Sequence, residues 1–275
     1  MINTVAIQGV KGSFHHIVSR EFFNNSVNVI ECMTFDRVVD ALITKECDAA
    51  IMALENSIAG SIIPNYALID KYGLHIVGEH YLDIQHNLMV LPNQKIEAIK
   101  EVYSHPMALL QCKEFFKLHP HIKLVEDKDT AEVAQRIQEK QLVGIGAIAS
   151  VTAAKIFNLD VLAHSIQTIK HNETRFVIVK RTNSEVSKNH INKASIKFEA
   201  SHKRGSLATI LNVMSDCKLN LTKIQSLPIV ETPWKYAFFV DVTFENYEDF
   251  NKAKSIIEIM AEGFKVLGEY KNAKL

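Results

Sequence analysis

Short β-rich runs alternate with longer helical stretches from Val5 to about Val179, and this alternation constrains the fold more than any other feature of the chain. The predicted strands are Val5–Gln8, Val27–Cys32, Ala49–Leu54, Leu74–His80, His86–Leu91, Glu101–Ser104 and Val143–Gly146. The predicted helices are Ser13–Phe23, Thr34–Thr44, Ile63–Lys71, Pro106–Leu118 and Ala147–Phe157. Strands that alternate with helices are typical of an α/β fold with a largely parallel sheet.

A polar stretch over residues 181–193 separates this pattern from a second one. Beyond it, strands are predicted at Ser195–Ala200, Asn220–Leu227, Tyr236–Phe244 and Lys265–Tyr270, with helices at Ser206–Cys217 and Asp249–Glu262. This βαββαβ order is the ferredoxin-like topology. A chain of 275 residues accommodates two domains, and we predict them at residues 1–182 and 194–275.

Small and polar residues follow the strands of the first domain. They lie in the segments Gly9–Phe14, Glu55–Ser61, His105–Pro106 and Ala147–Ser150. Ligands of open α/β sheets bind beyond the carboxyl ends of the strands, where helix N-termini present free N–H groups to anions. The pattern predicts an anion pocket lined by neutral hydrogen-bond donors, although helix capping alone also explains each segment taken singly. The glycine loop matches neither common nucleotide fingerprint, so no nucleotide is expected.

Composition narrows the classes of partner. Lys+Arg 31 balance Asp+Glu 31, which argues against nucleic acid because such partners are usually met by a basic excess. No run approaches the roughly 18 apolar residues that span a bilayer, and the N-terminus lacks a signal-peptide pattern. The four scattered cysteines suit buried thiols in a cytoplasmic protein. The closest histidine pairs, His15-His16 and His119/His121, lack ligand partners at metal spacing, so no metal is expected.

Several segments resemble, in order, the motifs of the prephenate dehydratase family. They are Gly9–Phe14, Glu55-Asn56-Ser57 with Gly60, Ser104–Cys112, Asp129–Ala131, Ala147–Ser150 and Asn172–Phe176. The resemblance implies a bilobal catalytic domain, similar to periplasmic binding proteins, with the substrate in its cleft. It also implies the conversion of prephenate to phenylpyruvate, water and CO2 in L-phenylalanine biosynthesis, without a metal or an organic cofactor.

The same resemblance implies roles for individual residues. Thr174 is expected to donate a hydrogen bond to the leaving hydroxyl, with Asn172 and Gln111 orienting polar groups of the substrate. The remaining candidates for substrate binding are Ser13, Glu55, Asn56, Ser57, Ser104, Arg175 and Phe176. Two of these have open roles. Arg175 either supplies a charge or, if its segment is a strand, points away from Thr174 into a structural ion pair. Glu55 either caps a helix or tunes the site.

The second domain resembles the ACT domain that follows the catalytic domain in this family. The matching segments are His202–Leu207 and Asn220–Pro228, with Gln225 and Leu227 standing where the family has Glu and Arg. The resemblance implies feedback by L-phenylalanine, bound between paired ACT domains, and hence a homodimer or homotetramer. The candidate ligand-binding residues are Gly205, Ser206, Leu207, Asn220 and Leu221.

Two alternatives to a prephenate dehydratase stay open on sequence grounds. An arogenate dehydratase acts on a substrate with an amine in place of the keto group. An acidic residue placed to meet that amine would discriminate between the two substrates, and the sequence does not show where the side chain of the substrate lies. A non-catalytic protein that binds a small anion shares the bilobal fold, and fold alone does not fix function.

Overall fold

The computed structural model describes residues 2–183, 190–201, 203–229, 232 and 235–274. Backbone contacts divide the chain into a first unit, Met1–Gly60 with Tyr81–Phe176, and a second unit, Ser61–His80 with Val177–Leu275. The contacts therefore group residues 61–80 with the C-terminal part of the chain. The predicted domain boundary between 182 and 194 falls partly on residues 184–189, which lie outside the described residues, and it stays a prediction.

The elements follow in chain order. The strands are β1 (Thr4–Gln8), β2 (Asn28–Cys32), β3 (Ala49–Asn56), β4 (Gly60–Ser61), β5 (His75–Asp83), β6 (Asn87–Val90), β7 (Glu101–Ser104), β8 (Lys123–Glu126), β9 (Ile145–Ala149), β10 (Asp160–Ala163), β11 (Glu173–Lys180), β12 (Lys193–Glu199), β13 (Asn220–Pro228), β14 (Tyr236–Thr243) and β15 (Glu262–Tyr270). The helices are α1 (Phe14–Phe22), α2 (Phe35–Ile43), α3 (Ile63–Lys71), α4 (Pro106–Gln111), α5 (Lys113–Lys117), α6 (Thr130–Glu139), α7 (Val151–Ile156), α8 (Ser206–Asp216) and α9 (Tyr247–Met260), with a 3₁₀ turn at Ile96–Ala98.

The first unit contains two groups of strands. One follows the order β3-β1-β2, with β1 parallel to both of its neighbours, and residues 173–176 at the start of β11 continue it beside β3. The other is a five-stranded sheet of order β10-β6-β9-β7-β8, in which β6 is antiparallel to both of its neighbours and β7 is parallel to both of its own. The α/β fold is confirmed, but the prediction of a largely parallel sheet is wrong for β6 and β10.

The five-stranded sheet is buried on both faces. Along β9, Ala147 and Ala149 pack in the core cluster that includes α6 and α7, whereas Ile148 packs in the cluster that includes α4 and α5. Successive side chains of a strand point to opposite faces, so one short strand serves both cores. The second cluster packs α4, which ends at Gln111, against the sheet.

The predicted helix Ala147–Phe157 begins too early. Residues Ile145–Ala149 form β9, and the helix α7 starts at Val151 after the N-cap Ser150, whose Oγ accepts a hydrogen bond from the Ala153 N–H at 3.0 Å. Alanine favours helices, but burial on both faces of a central strand overrides that preference here. The sequence pattern does not predict three elements of the structure, namely β8, α6 and β10.

The second unit contains the predicted βαββαβ order, as β12-α8-β13-β14-α9-β15. Its strands follow the order β13-β14-β12-β15 with antiparallel neighbours, and β15 continues to β5 by a parallel pairing of Gly268 with Ile76. A Cβ atom at Gly268 would lie 2.2 Å from the Ile76 carbonyl oxygen, so this close approach of the two strands requires glycine.

Ion pairs attach residues 61–80 to the rest of the second unit. Lys193 reaches Glu79 at 2.8 Å with both side chains almost fully buried. Asp70 on α3 receives Lys197 at 2.8 Å and Lys265 at 2.6 Å. Burial raises the pKa of Asp70, but the hydrogen bonds from the two lysines outweigh burial and hold this pKa below its ordinary value of 3.8.

Asp70→Asn is expected to lower the free energy of unfolding by about 1 kcal/mol at neutral pH. A carboxyl whose pKa is depressed in the folded state stabilises the fold above its unfolded pKa and loses that contribution as the pH falls through the folded pKa. Denaturant unfolding at pH 7 and at pH 3 should therefore show a smaller difference between variant and wild type at the lower pH. Glu262→Gln, which removes an exposed pair with Lys235, should stay within about 0.5 kcal/mol. An equal cost of Asp70→Asn at both pH values would contradict this account.

Candidate functional site

A turn after β3 anchors the candidate site. The Asn56 side-chain oxygen accepts hydrogen bonds from the backbone N–H groups of Ile58 at 3.0 Å and Ala59 at 2.8 Å. Asparagine commonly forms such turns because its side chain satisfies backbone donors two or three residues further on. Since backbone N–H groups can only donate, the Asn56 oxygen is fixed toward the turn, and its amide nitrogen faces the opposite way.

A chain of hydrogen bonds runs from this amide. Asn56 Nδ2 donates to Thr174 Oγ1 at 2.9 Å and to Asn172 Oδ1 at 2.7 Å. Asn172 Nδ2 donates to Gln111 Oε1 at 2.9 Å, and His86 Nε2 lies 2.9 Å from the same Gln111 oxygen. The structure therefore brings together the three predicted catalytic residues with Asn56, over sequence separations of up to 118 residues.

The direction of every bond in this chain follows from the turn. Because Asn56 Nδ2 must donate, Asn172 presents its oxygen to Asn56 and its nitrogen to Gln111. Gln111 in turn presents its oxygen to Asn172. Side-chain amides can ordinarily be placed in either of two orientations, but a reversed amide here would set two donors or two acceptors against each other. Thr174 accepts from Asn56, so its own hydroxyl hydrogen is directed to another acceptor.

The hydrogen-bond chain is uncharged, and its members Asn56 and Gln111 are half-buried. Asn172 is fully buried and Thr174 is 6% exposed. On α1, His15 packs its ring edge-on against Phe176 at 4.9 Å between centroids, and burial lowers the pKa of His15 to about 3. That histidine is neutral at physiological pH. A low-polarity wall of this kind strengthens the hydrogen bonds that Thr174 and its neighbours make.

The two serines predicted to hold carboxylates have their hydroxyl hydrogens directed elsewhere. Ser104 Oγ donates to the Ile148 carbonyl at 2.7 Å and is fully buried. Ser13 is the N-cap of α1, where its oxygen accepts from the His16 N–H at 3.2 Å and its hydroxyl lies 3.4 Å from the Gln8 carbonyl. In this arrangement both side chains hold secondary-structure elements in place, and a carboxylate role for either one stays a prediction.

Segment 173–176 lies in β11, so the strand alternative raised for Arg175 applies. Thr174 and Phe176 occupy one face of the strand and Arg175 the other, because side chains alternate along a strand. All three are at least nine-tenths buried. Arg175 accordingly points away from the Thr174 hydroxyl, and Phe176 belongs to the wall formed with His15.

Glu55 and Ser57 flank Asn56. Glu55 is half-buried at the end of β3, and Ser57 is exposed. Ser57 exchanges two hydrogen bonds with Glu173, its N–H donating to the Glu173 carbonyl at 2.8 Å and its Oγ accepting from the Glu173 N–H at 3.0 Å. Ser57 therefore links the turn after β3 to the start of β11, which holds Thr174 beside Asn56.

A cavity of about 540 Å³ lies in the second unit at the start of α8. Three of the five predicted effector residues line it, namely Gly205, Ser206 and Leu207, together with cationic and aromatic side chains, among them Lys203, Arg204, Lys235, Tyr236 and Phe238. Asn220 and Leu221 are exposed and are not among its described lining residues. The predicted His202 lies outside the described residues.

His86 is a member of the hydrogen-bond chain that sequence reasoning missed. The sequence predicts only a strand there, because a lone histidine before an apolar run matches no motif.

Among the described residues, no group of three or more His, Cys, Asp or Glu side chains is arranged to hold a metal ion. All four cysteines are buried, as predicted, and burial raises the pKa of Cys112 to about 12. No helix of the described chain is long and apolar enough to cross a membrane.

The chain is similar to known proteins over nearly its whole length. The family model of prephenate dehydratase matches residues 5–184. The bifunctional chorismate mutase/prephenate dehydratase of Buchnera aphidicola subsp. Acyrthosiphon pisum is 31% identical over 271 residues, which cover 97% of this chain and 70% of the relative. The chloroplastic arogenate dehydratase/prephenate dehydratase 2 of Arabidopsis thaliana is 33% identical over 276 residues, covering 97% and 72%. The crystal structure of prephenate dehydratase from Arthrobacter aurescens in complex with L-Phe has the same fold, with a TM-score of 0.90, 23% identity, and coverage of 98% and 90%.

Proposed function

Because the chain belongs to the prephenate dehydratase family, we propose that it converts prephenate to phenylpyruvate, water and CO2. The observation that carries the proposal is the polarity of the hydrogen-bond chain. With Asn56 donating to Thr174 Oγ1, the threonine hydroxyl is an oriented donor at the end of a neutral, partly buried network. That is the group that a leaving hydroxyl needs.

The reaction breaks two bonds that join the substrate ring to its substituents. The bond between the ring and its carboxylate breaks, CO2 leaves, and the electron pair enters the ring. The bond from the ring to the hydroxyl breaks at the opposite carbon, and this oxygen leaves as water, with its additional proton supplied by the solvent. Forming the aromatic ring drives the process, so the protein contributes mainly position and electrostatic stabilisation. Thr174 is too weak an acid to give up its proton fully, and its role is a directed hydrogen bond to the departing oxygen.

Gln111 is proposed to orient the substrate. Its side-chain oxygen is occupied by Asn172 and His86, so its amide hydrogens are directed toward other acceptors. A substrate carboxylate or keto oxygen is such an acceptor. We further propose that the two groups of strands in the first unit form the two lobes of a cleft like that of periplasmic binding proteins, with prephenate between them.

The second unit is proposed to be an ACT domain that senses L-phenylalanine, in a homodimer or homotetramer. Support comes from its βαββαβ order and from the cavity lined by Gly205–Leu207, whose cationic and aromatic side chains suit a carboxylate beside an aromatic ring. The Arthrobacter aurescens relative was crystallised with L-Phe. Regulation requires that phenylalanine bind differently to the active and inhibited states.

One assay tests both parts of the proposal. Purified protein is incubated with prephenate, with and without millimolar phenylalanine, or with arogenate and no added phenylalanine, and phenylpyruvate and phenylalanine are quantified as the respective products. We expect phenylpyruvate from prephenate at a rate that phenylalanine changes. No turnover of either substrate would overturn the enzymatic proposal. Faster turnover of arogenate would instead assign the arogenate dehydratase activity that the name of the Arabidopsis relative contains. Turnover indifferent to phenylalanine, with no binding heat in titration calorimetry, would overturn the sensing role alone.

A further inference from the structure

We propose that His86 is a positioning residue for Gln111 and acts as the neutral tautomer that carries its proton on Nε2. The proposal rests on the proposed function, because it assigns His86 a part in orienting prephenate. It is carried by the hydrogen bonds that converge on one oxygen atom of Gln111.

The tautomer follows from the direction of the hydrogen-bond chain. Gln111 Oε1 accepts from Asn172 Nδ2 at 2.9 Å and lies 2.9 Å from His86 Nε2. An amide oxygen can only accept, so His86 Nε2 must donate and must carry a hydrogen. In a neutral imidazole the other nitrogen then lacks one. His86 Nδ1 is buried and has no hydrogen-bond partner among the described residues.

The surroundings hold the ring in this position. The His86 N–H donates to Gln167 Oε1 at 3.0 Å, and the His86 carbonyl accepts from the Ile166 N–H at 2.8 Å. Phe14 packs edge-on against the ring at 5.8 Å between centroids. Burial lowers the pKa of His86, with a smaller opposing effect from the hydrogen bond to Gln111. A second proton on Nδ1 would be buried without a partner, so the neutral form is favoured.

The consequence is a single orientation for Gln111. Two donors on Oε1 hold the amide so that its nitrogen, with two hydrogens, points away from Asn172 and His86. The Thr168 N–H donates to the Gln111 carbonyl at 2.9 Å, which fixes the backbone at the same residue. Without the His86 donor, only Asn172 distinguishes the two amide orientations, and Gln111 loses part of its preorganisation for the substrate.

The test is a double-mutant cycle measured with prephenate as the substrate. We expect His86→Phe, which keeps a planar ring without the donor, to lower kcat/KM by about 10-fold, as expected for one neutral hydrogen bond. His86→Gln, which can restore an N–H near the same place, should recover part of this loss. Adding His86→Phe to Gln111→Ala should have almost no further effect, because the histidine acts through the glutamine. His164→Phe, a control at an exposed histidine, should leave kcat/KM unchanged.

Equal losses from His86→Phe in the wild-type and Gln111→Ala backgrounds would overturn the positioning role, as would a His86→Gln variant no better than His86→Phe. Nitrogen-15 NMR of the wild-type imidazole is independent of turnover and of variant folding. It should show Nε2 protonated and Nδ1 unprotonated at neutral pH, and the opposite tautomer or a doubly protonated ring would overturn the assignment. A wild type that does not turn over prephenate contradicts the proposed function, while the NMR result still decides the tautomer.

Discussion

Asn56→Asp is expected to lower kcat for prephenate by about 10³-fold or more, a loss of at least roughly 4 kcal/mol of transition-state stabilisation. The substituted carboxylate still accepts from the Ile58 and Ala59 N–H groups, so the turn after β3 is retained. Its second oxygen, however, faces Thr174 Oγ1 and Asn172 Oδ1 and has no hydrogen to donate. Thr174 must then donate to residue 56, and its hydroxyl hydrogen is withdrawn from the substrate.

The ordering of variants at position 56 makes this prediction specific. Asn56→Ala removes the anchor without reversing the polarity of the chain, so its kcat should lie between those of the wild type and Asn56→Asp. Asn158→Asp changes an exposed asparagine of the first unit in the same way and should have no effect on kcat. Steady-state kinetics with circular dichroism of each variant would test the series. An Asn56→Asp variant more active than Asn56→Ala would contradict the proposed polarity.

The sequence indicated which segments build the site but not how they are connected. Polar residues after strands predicted a pocket of neutral donors, and the segment Glu55–Ser61 contributes Asn56 to the hydrogen-bond chain. Asn172 and Thr174 were expected from the family resemblance alone. Asn56 and Asn172 are 116 residues apart, and no local propensity specifies that contact. The direction of the bonds is set by the Asn56 oxygen, which accepts from two backbone N–H groups, and the sequence alone does not specify this turn.

Tertiary contacts decide points that the sequence leaves open. A hydroxyl at the end of a strand is compatible with ligand binding and with a structural role. Ser104 donates to the neighbouring strand, and its carboxylate role stays a prediction. The alanines of β9 predict a helix, because helix propensity does not take into account that both faces of this strand are buried. The βαββαβ order of the second unit could be predicted because the apolar residues of each strand or helix recur at the spacing typical of that element. The structure pairs most of these strands with antiparallel neighbours. The cavity beside Gly205 was only partly foreseen, because Asn220 and Leu221 lie outside its described wall.

The second large effect is expected at Thr174, whose hydroxyl is the proposed donor to the departing oxygen. Thr174→Val keeps the branched shape that packs in β11 and removes the hydroxyl. Asn56 Nδ2 then retains Asn172 Oδ1 and the more distant Glu173 carbonyl, at 3.4 Å, as acceptors. Loss of one oriented donor at a developing negative oxygen typically costs about 10²–10³-fold in kcat. Thr174→Ser retains the donor and should stay within about 10-fold of the wild type, since only packing changes.

The kcat of Thr174→Val with prephenate tests the central claim most directly, provided that the variant keeps the wild-type circular dichroism spectrum. The account predicts a fall of about 10²–10³-fold in kcat with KM changed much less, because the hydrogen bond strengthens as the hydroxyl leaves. A kcat within a few-fold of the wild type would show that Thr174 is not the donor to the leaving group and would contradict the account.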